Sequence, residues 1–519
     1  MAGTFIGIRV CRFYRVVANF SVLYYVIYVI YVMEKNISDM RKPTIFLAML
    51  PVIILVVILS VGVHLFGDEL TSGPSQIALL TASIVGALVA MIYLKIPWEK
   101  LEEGMLDNLS KTGSAIFILL MIGALTASWT LSGVVPTLIY YGLKVIHPSV
   151  FLLVIFVFTG IISIMAGSSW TTIGTIGVAM LSAGEILGFH PGWLAGAIIS
   201  GAYLGDKLSP LSDTTNLSAS VSEVNLYSHI RYLMITNVPT FIITAIVFAV
   251  VGFMVPSNSQ LDVEEQCAQI ASTFNISLWL LLIPGFTIFL IFKKISPYIT
   301  LFLSAVVGAA VALFAQPEII SQITTYGEGE LFRYIYAPLK MLSSQVSIET
   351  GNEMLNELAS TNGMGGMMNT VWLILCVVAF GGIMEAAGYI NVVTEKMTRF
   401  MTSATSLVSS TIGTCIFCNL TLSDQYMSIL LPGKMFSKAF KENGYEPELL
   451  SRSLQDSATV TSVLIPWNTC GVAQASVLGV PTLVYLPYCI FNIISPIISI
   501  IVVALGYKVL KFGKPINKK

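Results

Sequence analysis

The sequence predicts an all-α polytopic membrane protein with about 11–13 transmembrane helices, arranged in two inverted-topology repeats that contain re-entrant or broken helices. Three observations indicate this fold class. Of the 519 residues, 55% are hydrophobic and 11% are charged, with a mean hydropathy of +0.84, whereas about a quarter of a soluble domain is charged. Apolar runs long enough to cross a bilayer recur along the chain. Polar breaks interrupt apolar stretches in both halves.

The composition also excludes several classes of protein. A soluble enzyme would need more polar surface, and 27 Lys and Arg against 28 Asp and Glu leave no basic field for nucleic acid. The expected surroundings are a lipid bilayer. Cys415 and Cys418 have metal-binding spacing, but they lie in an apolar stretch without a nearby histidine, which favours packing. We expect no cofactor, no transition metal and no enzymatic activity.

Nine apolar runs are the clearest predicted spans, since about 20 apolar residues cross a bilayer core. They are residues 44–63, 76–94, 113–131, 149–165, 230–255, 277–292, 297–315, 370–388 and 481–509. Three further apolar stretches are broken by Gly, Pro, Ser, Thr and Asp, and function is expected there. These are residues 166–220, 403–431 and 449–480.

Loop charges define the predicted domains and orientation, because cytoplasmic loops are enriched in Lys and Arg. Basic residues mark the turn at Lys293 and Lys294 and the segment with Lys396 and Arg399, whereas the loops 67–76 and 256–275 are acidic and are predicted outside. We expect an inner-membrane protein with a cytoplasmic C-terminus. The predicted parts are an N-terminal extension (1–42; either an extra helix or sequence upstream of a start at Met33 or Met40), a first membrane half (43–315), a polar connector (316–369), a second half (370–509) and a basic tail (510–519).

The break in the first half contains two aspartates at membrane depth. Asp206 and Asp213 flank Pro210, which removes a backbone donor and frees carbonyl groups that can bind an ion. An ionisable side chain costs at least a few kcal/mol at this depth, so it marks a functional site. Lys207 either pairs with a carboxylate or reaches the membrane interface. Just upstream, the hydroxyl groups of residues 168–172 can complete a cation shell or pack helices tightly.

The second half repeats this pattern in the same order. A polar break contains Asn419 and Asp424, and a second contains Asp456 and Thr459. Pro210 is followed by Ser-Asp-Thr after one residue, and Pro466 is followed by Asn-Thr after one residue, as if one motif occurred twice. Paired interrupted segments indicate a secondary transporter with a midplane site. Glu385 is a further acidic residue at or near membrane depth, and His64, His147, His190 and His229 are expected at the surface, near span ends.

Three segments resemble the NhaC-type sodium/proton antiporters of the ion transporter superfamily. They are 167–177 (GSSWTTIGTIG), 200–215 (SGAYLGDKLSPLSDTT) and 450–471, and the resemblance covers roughly residues 43–507. It implies inverted repeats in an inner-membrane protein that exports Na⁺ against inward H⁺, and the same family looks to include sodium-coupled malate/lactate exchangers. Gln455 stands where the family usually has an acidic residue, and Ala458 stands where it usually has glycine.

Antiport requires a group that holds either H⁺ or Na⁺, and a carboxylate in a partly dry cavity does this because the removal of water disfavours a bare charge. Deprotonated, it would bind Na⁺ together with neighbouring oxygens at about 2.4 Å. The predicted ion-binding residues are Asp206, Asp213, Thr214, Ser168, Ser169, Thr171, Asp456, Thr459, Asn468 and Thr469, with Asp424, Asn419, Lys207 and Glu385 as secondary candidates.

Other functions stay open at this point. A Na⁺-coupled malate/lactate-type exchanger needs a cationic anchor such as Lys207 or Arg452. An intramembrane aspartyl protease would use two aspartates that share a proton, but the sequence before Asp206 has Tyr203 where the protease motif has glycine. A channel is a third alternative, although two carboxylate-bearing breaks suit a carrier better than a continuous pore.

Overall fold

The structure, a computed structural model, describes residues 42–66, 73–254, 260–324, 330–349, 356, 359–397 and 403–509. These residues are almost entirely helical, with one isolated bridge between Val346 and Thr361. Among them, seven helices are long and apolar enough to cross a membrane, and two bent helix pairs would raise the number to nine. The chain is therefore an all-α polytopic membrane protein. Most of the N-terminal extension and the basic tail lie outside the described residues.

Before Met368, we number fourteen helices in the residues that the structure describes. They are α1 (Ile45–Phe66), α2 (Pro74–Ile92), α3 (Trp98–Leu131), α4 (Val134–Val145), α5 (Pro148–Ala166), α6 (Ser169–Thr172, a π-helical turn Ile173–Gly177, and Val178–Ile186), α7 (Pro191–Leu208), α8 (Asp213–Val221), α9 (Leu226–Met254), α10 (Gln260–Thr273), α11 (Leu282–Phe292, after a 3₁₀ turn Leu278–Leu281), α12 (Pro297–Ala315), α13 (Pro317–Ile323) and α14 (Glu330–Ser343).

Eight further helices follow in the described part of the second half. They are α15 (Met368–Ala386), α16 (Tyr389–Met397), α17 (Ala404–Thr421), α18 (Gln425–Glu442), α19 (Pro447–Leu454, a π-helical turn Gln455–Thr459, and Val460–Ser462), α20 (Thr469–Leu478), α21 (Thr482–Tyr485, followed by a 3₁₀ turn Leu486–Tyr488) and α22 (Ile490–Ala504).

The predicted spans agree with these helices except at residues 277–292, which reach the length of a span only as a bent pair with the end of α10, and at the last span. Residues 481–509 were expected to form a single span, but α21 and α22 are separate helices, and α20 and the segment Thr482–Tyr488 are bent by 89°. Gly479 has a φ of 68°, in the left-handed region that glycine adopts freely, and Pro481 lacks a backbone donor. The sequence predicted that residues 481–509 are apolar, but it did not predict the bends.

Helix α12 separates the basic and acidic loops that were used to predict orientation. Lys294 lies just before its first residue, and Gln316 follows its last. Gln316 accepts a hydrogen bond from the backbone N–H of Asn275 at 3.0 Å and donates to the carbonyl of Ser132 at 3.4 Å. The end of the acidic loop 256–275 therefore lies at the opposite end of α12 from the basic turn, as the predicted orientation requires.

A helix–break–helix order occurs twice along the chain. In the first half, α5 and α6 are separated at Gly167, and α7 and α8 are separated at residues 209–212. In the second half, α17 and α18 are separated at Ser423, and α19 and α20 at residues 463–468. Gly167 and Ser423 both have left-handed backbones, with φ values of 68° and 57°. Because a left-handed serine stores about 1–3 kcal/mol of strain, the surrounding packing must hold the second break in place.

Close packing of α5 against α7 positions the first pair of breaks. Gly160 and Gly201 face each other, and the hydroxyl of Ser163 donates to the carbonyl of Ala202 at 2.6 Å. A Cβ atom at Gly201 would overlap the hydroxyl of Thr159 and the carbonyl of Phe156. Small residues let backbones approach in this way, which compensates for the weak hydrophobic drive between helices in lipid.

We therefore expect Gly201→Ala to destabilise the purified protein by about 1–3 kcal/mol, as overpacking does in tight cores, and to lower its thermal denaturation midpoint in detergent. Gly142→Ala is the matched control, because nothing lies within 4 Å of a Cβ at Gly142. Equal midpoints for the two variants would contradict the packing role of Gly201.

Candidate ion-binding site

Four helices begin at the four breaks, and each has a side-chain cap on its first free N–H groups. Ser168 caps α6 by accepting from the N–H of Thr171 at 3.2 Å, and Ser212 caps α8 by accepting from Thr215 at 3.3 Å. Asp424 caps α18 through Oδ1 at 2.9 Å, and Asn468 caps α20 through Oδ1 at 3.0 Å. Three of these capping residues, Ser168, Asp424 and Asn468, were predicted as ion ligands and therefore also start helices.

A cavity of about 430 Å³ lies where these breaks meet. Its lining includes three of the predicted carboxylates, Asp206, Asp213 and Asp424, from both halves of the chain. It reaches the surface at its rim, where Leu211 and Lys294 are exposed. The cavity also exposes hydroxyl oxygens, which hard cations such as Na⁺ accept as ligands, and these come from Ser168, Thr171, Ser212, Thr214, Ser296, Thr300 and Thr469.

Asp206 connects the two breaks of the first half. Its carboxylate Oδ2 accepts from the backbone N–H of Ser169 at 3.2 Å and from the hydroxyl of Ser169 at 2.8 Å. Its own backbone carbonyl accepts from the hydroxyl of Thr215 at 3.1 Å. Asp206 is 4% exposed, and only Oδ2 receives these bonds. The side chain of Ser212 also contacts this carboxylate, so a cation in the cavity would share the carboxylate with hydroxyl groups.

Asp213 and Asp424 differ from Asp206 in their surroundings. Asp213 is the first residue of α8 and is exposed, while Asp424 is buried and uses one carboxylate oxygen as the cap of α18. Within the described part of the chain, no three His, Cys, Asp or Glu side chains lie close enough to hold one metal ion together. A bound Na⁺ would accordingly use one or two carboxylates, with hydroxyl, backbone and water oxygens as the other ligands.

The helix N-termini balance the negative charge of the cavity. A helix N-terminus carries a partial positive charge of roughly half an elementary charge, and Ser168, Ser212, Asp424 and Thr469 bring four such ends to the cavity wall. This field stabilises carboxylates that would otherwise repel one another in a poorly hydrated site. The carboxylates of the cavity therefore require no additional cationic side chain beside Asp206 to stabilise them.

Asp456, by contrast, does not line the cavity, and its predicted place with Asp206 and Asp213 is corrected by the structure. The ammonium of Lys207 donates to Asp456 Oδ1 at 2.7 Å and to the hydroxyl of Ser495 at 2.9 Å, and both ionic side chains are completely buried. Lys207 therefore pairs with a carboxylate, and the alternative that it reaches the membrane interface is wrong. Because Asp456 neutralises Lys207, the lysine next to Asp206 in sequence adds little repulsion to a cation in the cavity.

A second buried cation, which the sequence suggested only as an anchor for an organic anion, lies beside Asp456. Arg452 is fully buried, its Nε lies 3.9 Å from Asp456 Oδ2, and its guanidinium stacks on the ring of Tyr232 at 4.9 Å. His229 was expected at the surface, but it is fully buried, with Nδ1 2.9 Å from the hydroxyl of Ser451. The surface prediction was wrong because His229 lies near the end of a helix that other helices cover.

Several other predicted site residues form hydrogen bonds within the second half and do not line the cavity. Asn419 donates to the carbonyl of Ala458 at 2.7 Å, and Asn468 donates to the carbonyl of Asn419 at 3.1 Å, which ties the breaks of the second half together. Thr459 donates to Gln455, and Glu385 lies half-buried near the end of α15. Asn419, Asn468, Thr459 and Glu385 are not among the described residues that line the cavity.

A second cavity, of about 510 Å³, borders the same helix α20 from the other side. Thr469 in the first turn of α20 lines the first cavity, whereas Val472 and Ser476 line the second. Thr370, at the start of α15, donates to Ser476 at 2.5 Å in the second cavity. The first turns of α20 thus lie between the two cavities.

The broken helices, the carboxylate-lined cavity and the spans define a multi-pass membrane protein of the secondary-transporter class. A sequence profile of the Na⁺/H⁺ antiporter family matches residues 201–507, which include the break flanked by Asp206 and Asp213 and nearly all of the second half. The chain belongs to this family.

Curated relatives share most of their length with the chain. The Na⁺/H⁺ antiporter NhaC of Alkalihalophilus pseudofirmus is 35% identical over 86% of this chain and 92% of its own. A malate-2H⁺/Na⁺-lactate antiporter of Bacillus subtilis is 35% identical over 89% and 95% of the two chains. An arginine/ornithine antiporter, ArcD, of Halobacterium salinarum is 32% identical over 91% and 94%. All three names describe antiporters.

The buried ion pair generates a stability prediction. Asp456→Asn should lower the denaturation midpoint strongly, by a free energy of about 3–5 kcal/mol, because Lys207 is left buried without a counter-charge. The double variant Asp456→Asn with Lys207→Met should recover part of this loss. The exposed pair between Lys441 and Glu223, 2.8 Å apart, is the control, since breaking a surface pair changes stability little. Equal effects of Asp456→Asn and Glu223→Gln would argue against the assignment.

Proposed function

We propose that the protein is a secondary active transporter that exports Na⁺ in exchange for H⁺. The observation that carries this proposal is the cavity formed by four helix breaks, because it brings together Asp206 in the last turn of α7, Asp213 in the first turn of α8 and Asp424 at the N-terminus of α18. The names of the NhaC relatives describe the same exchange. The transported species are Na⁺ and H⁺.

The exchange works by competition for the same oxygens. When the carboxylate of Asp206 is ionised, it binds Na⁺ together with hydroxyl oxygens such as those of Thr171 and Thr214. When it is protonated, it loses the charge that holds the cation and Na⁺ leaves. Asp213, near the exposed rim, attracts the cation into the cavity, and Asp424 shares its charge from the other half of the chain.

The two helix–break–helix units are proposed to be inverted repeats. Their order supports this: Gly433 of α18 packs against Val221 of α8, and the π-helical turn of α6 packs against α20. Helix α8 of the first half therefore lies beside α18 of the second half, and α6 lies beside α20. We place the protein in the inner membrane, with the turn at Lys293 and Lys294 and the C-terminus on the cytoplasmic side.

A Na⁺-coupled carboxylate exchange is the second candidate function. Lys111 and Lys294 line the outer part of the cavity and could face an organic anion, and a volume of about 430 Å³ exceeds that of one cation. The malate/lactate relative is as similar to this chain as the NhaC relative is. In the carboxylate mode, the helix N-termini would bind the anion and Asp206 would hold the coupled Na⁺.

Asp206→Asn and Asp213→Asn should each abolish Na⁺-dependent proton movement in everted membrane vesicles, because an amide cannot alternate between a proton and Na⁺. The measurement is fluorescence dequenching of a pH-sensitive dye after NaCl is added. Glu318→Gln is the control, since Glu318 is exposed at the other end of α12. Normal exchange by Asp206→Asn, with the variant present in the membrane, would defeat this site.

We expect the wild-type protein to move protons with NaCl alone, without an organic acid. The same vesicles are then tested with malate, lactate or arginine added on either side. A protein that stays silent with NaCl and responds only when malate or lactate is present would show that the carboxylate exchange is the function.

A further inference from the structure

Gln455 of the second half makes a set of hydrogen bonds that reaches across to the ion-binding segment of the first half. It is completely buried in the π-helical turn of α19, one residue before Asp456. Its side-chain Nε2 donates to the hydroxyl oxygens of Thr214 at 3.3 Å and Thr215 at 3.1 Å. Its Oε1 accepts from the hydroxyl of Ser218 at 2.6 Å. The amide is therefore held from several sides.

These bonds fix the direction of two hydroxyl groups. An amide N–H can only donate, so Thr214 and Thr215 must each accept with one lone pair and turn their own protons elsewhere. Thr215 donates to the carbonyl of Asp206 at 3.1 Å, and also lies 3.3 Å from the carbonyl of Lys207. Gln455 thus directs the hydroxyl proton of Thr215 toward the backbone carbonyl of Asp206.

Thr214 carries the effect to the cavity itself. Its hydroxyl is 3.0 Å from that of Ser212, and both residues line the cavity with Asp206. An oxygen whose proton direction is fixed presents a defined lone pair to a cation. Selectivity between cations of different radius requires ligands that are held within a fraction of an ångström.

We propose that Gln455 is a positioning residue of the transport site, which orients Thr214 and Thr215 so that the site binds Na⁺ in preference to the smaller Li⁺. Gln455 itself does not line the cavity, and it acts through the two threonines. This inference rests on the proposed Na⁺/H⁺ exchange. It also makes the first-half site dependent on a side chain of the second half, so that a movement between the halves alters affinity.

The test compares Gln455→Met, which keeps the side-chain volume but loses all polar contacts, with the wild type in everted vesicles. The expected result is about a tenfold rise in the Na⁺ concentration for half-maximal exchange, with a much smaller change in the maximal rate, and a shift of the Li⁺-to-Na⁺ ratio toward Li⁺. Gln76→Met is the matched control, since Gln76 is an equally buried glutamine in α2 away from the cavity.

The second arm tests the route through Thr215. Thr215→Val should give part of the shift, because the bond from Gln455 to Thr214 remains, and Thr215→Ser should give none. The double variant Gln455→Met with Thr215→Val should shift no further than Gln455→Met alone, because the glutamine substitution already removes both bonds. These threonine variants decide the proposal if Gln455→Met does not fold. Na⁺-dependent thermal stabilisation of the purified protein provides a second readout of affinity.

The possible results separate the two proposals. If the wild type exchanges Na⁺ for H⁺ and Asp206→Asn does not, but Gln455→Met keeps the wild-type Na⁺ concentration dependence and Li⁺ ratio, the positioning role is wrong and the function stands. Additive shifts in the double variant also overturn the role. A wild type without Na⁺-driven proton movement overturns both proposals.

Discussion

Interrupted helices are the constraint on which the rest of this structure depends. A continuous helix satisfies its own backbone in lipid and presents no free N–H groups inside the membrane. Each of the four breaks creates a helix start whose N–H groups need an acceptor, and Ser168, Ser212, Asp424 and Asn468 supply it. The same N-termini provide the positive potential that allows carboxylates to remain in a cavity with little water.

The two halves close their breaks differently, which explains why they contribute unequally to the cavity. In the second half, the backbone carbonyl of Ser423 accepts from the N–H of Thr469 at 2.9 Å, so backbone joins the breaks. In the first half, the carboxylate of Asp206 performs this role by accepting from Ser169. Because the carboxylate of Asp206 holds two breaks together, a change in its charge affects both breaks. The backbone hydrogen bond between Ser423 and Thr469 has no charge that can change in this way. Under the proposed exchange, a change in the charge of Asp206 would alter its hydrogen bonds to Ser169 and thereby the packing of α6 against α7.

The buried pair of Lys207 and Asp456 has a complementary role. Lys207 follows Asp206 directly, and on a helix the two side chains point about 100° apart. Asp456 and Ser495 draw the ammonium away from the cavity and into the interface with α22. Asp456, which was predicted as an ion ligand, therefore pairs with Lys207 and does not line the candidate ion site. It also links the halves, as Gln455 does one residue earlier.

The sequence by itself determined the membrane class, most spans, the two pairs of breaks and the family, because hydropathy and proline or glycine interruptions are local properties of the chain. It also identified Asp206, Asp213 and Asp424 as carboxylates at membrane depth. Only the tertiary structure decided which polar residues share a space. Asp456 and Asp206 occur in equally polar motifs, yet one faces Lys207 and the other faces the cavity, because helix rotation and the partner across an interface set the direction of a side chain. The burial of His229 and Arg452 and the reach of Gln455 to Thr214 depend on contacts between residues more than 200 positions apart, and no local pattern contains that information.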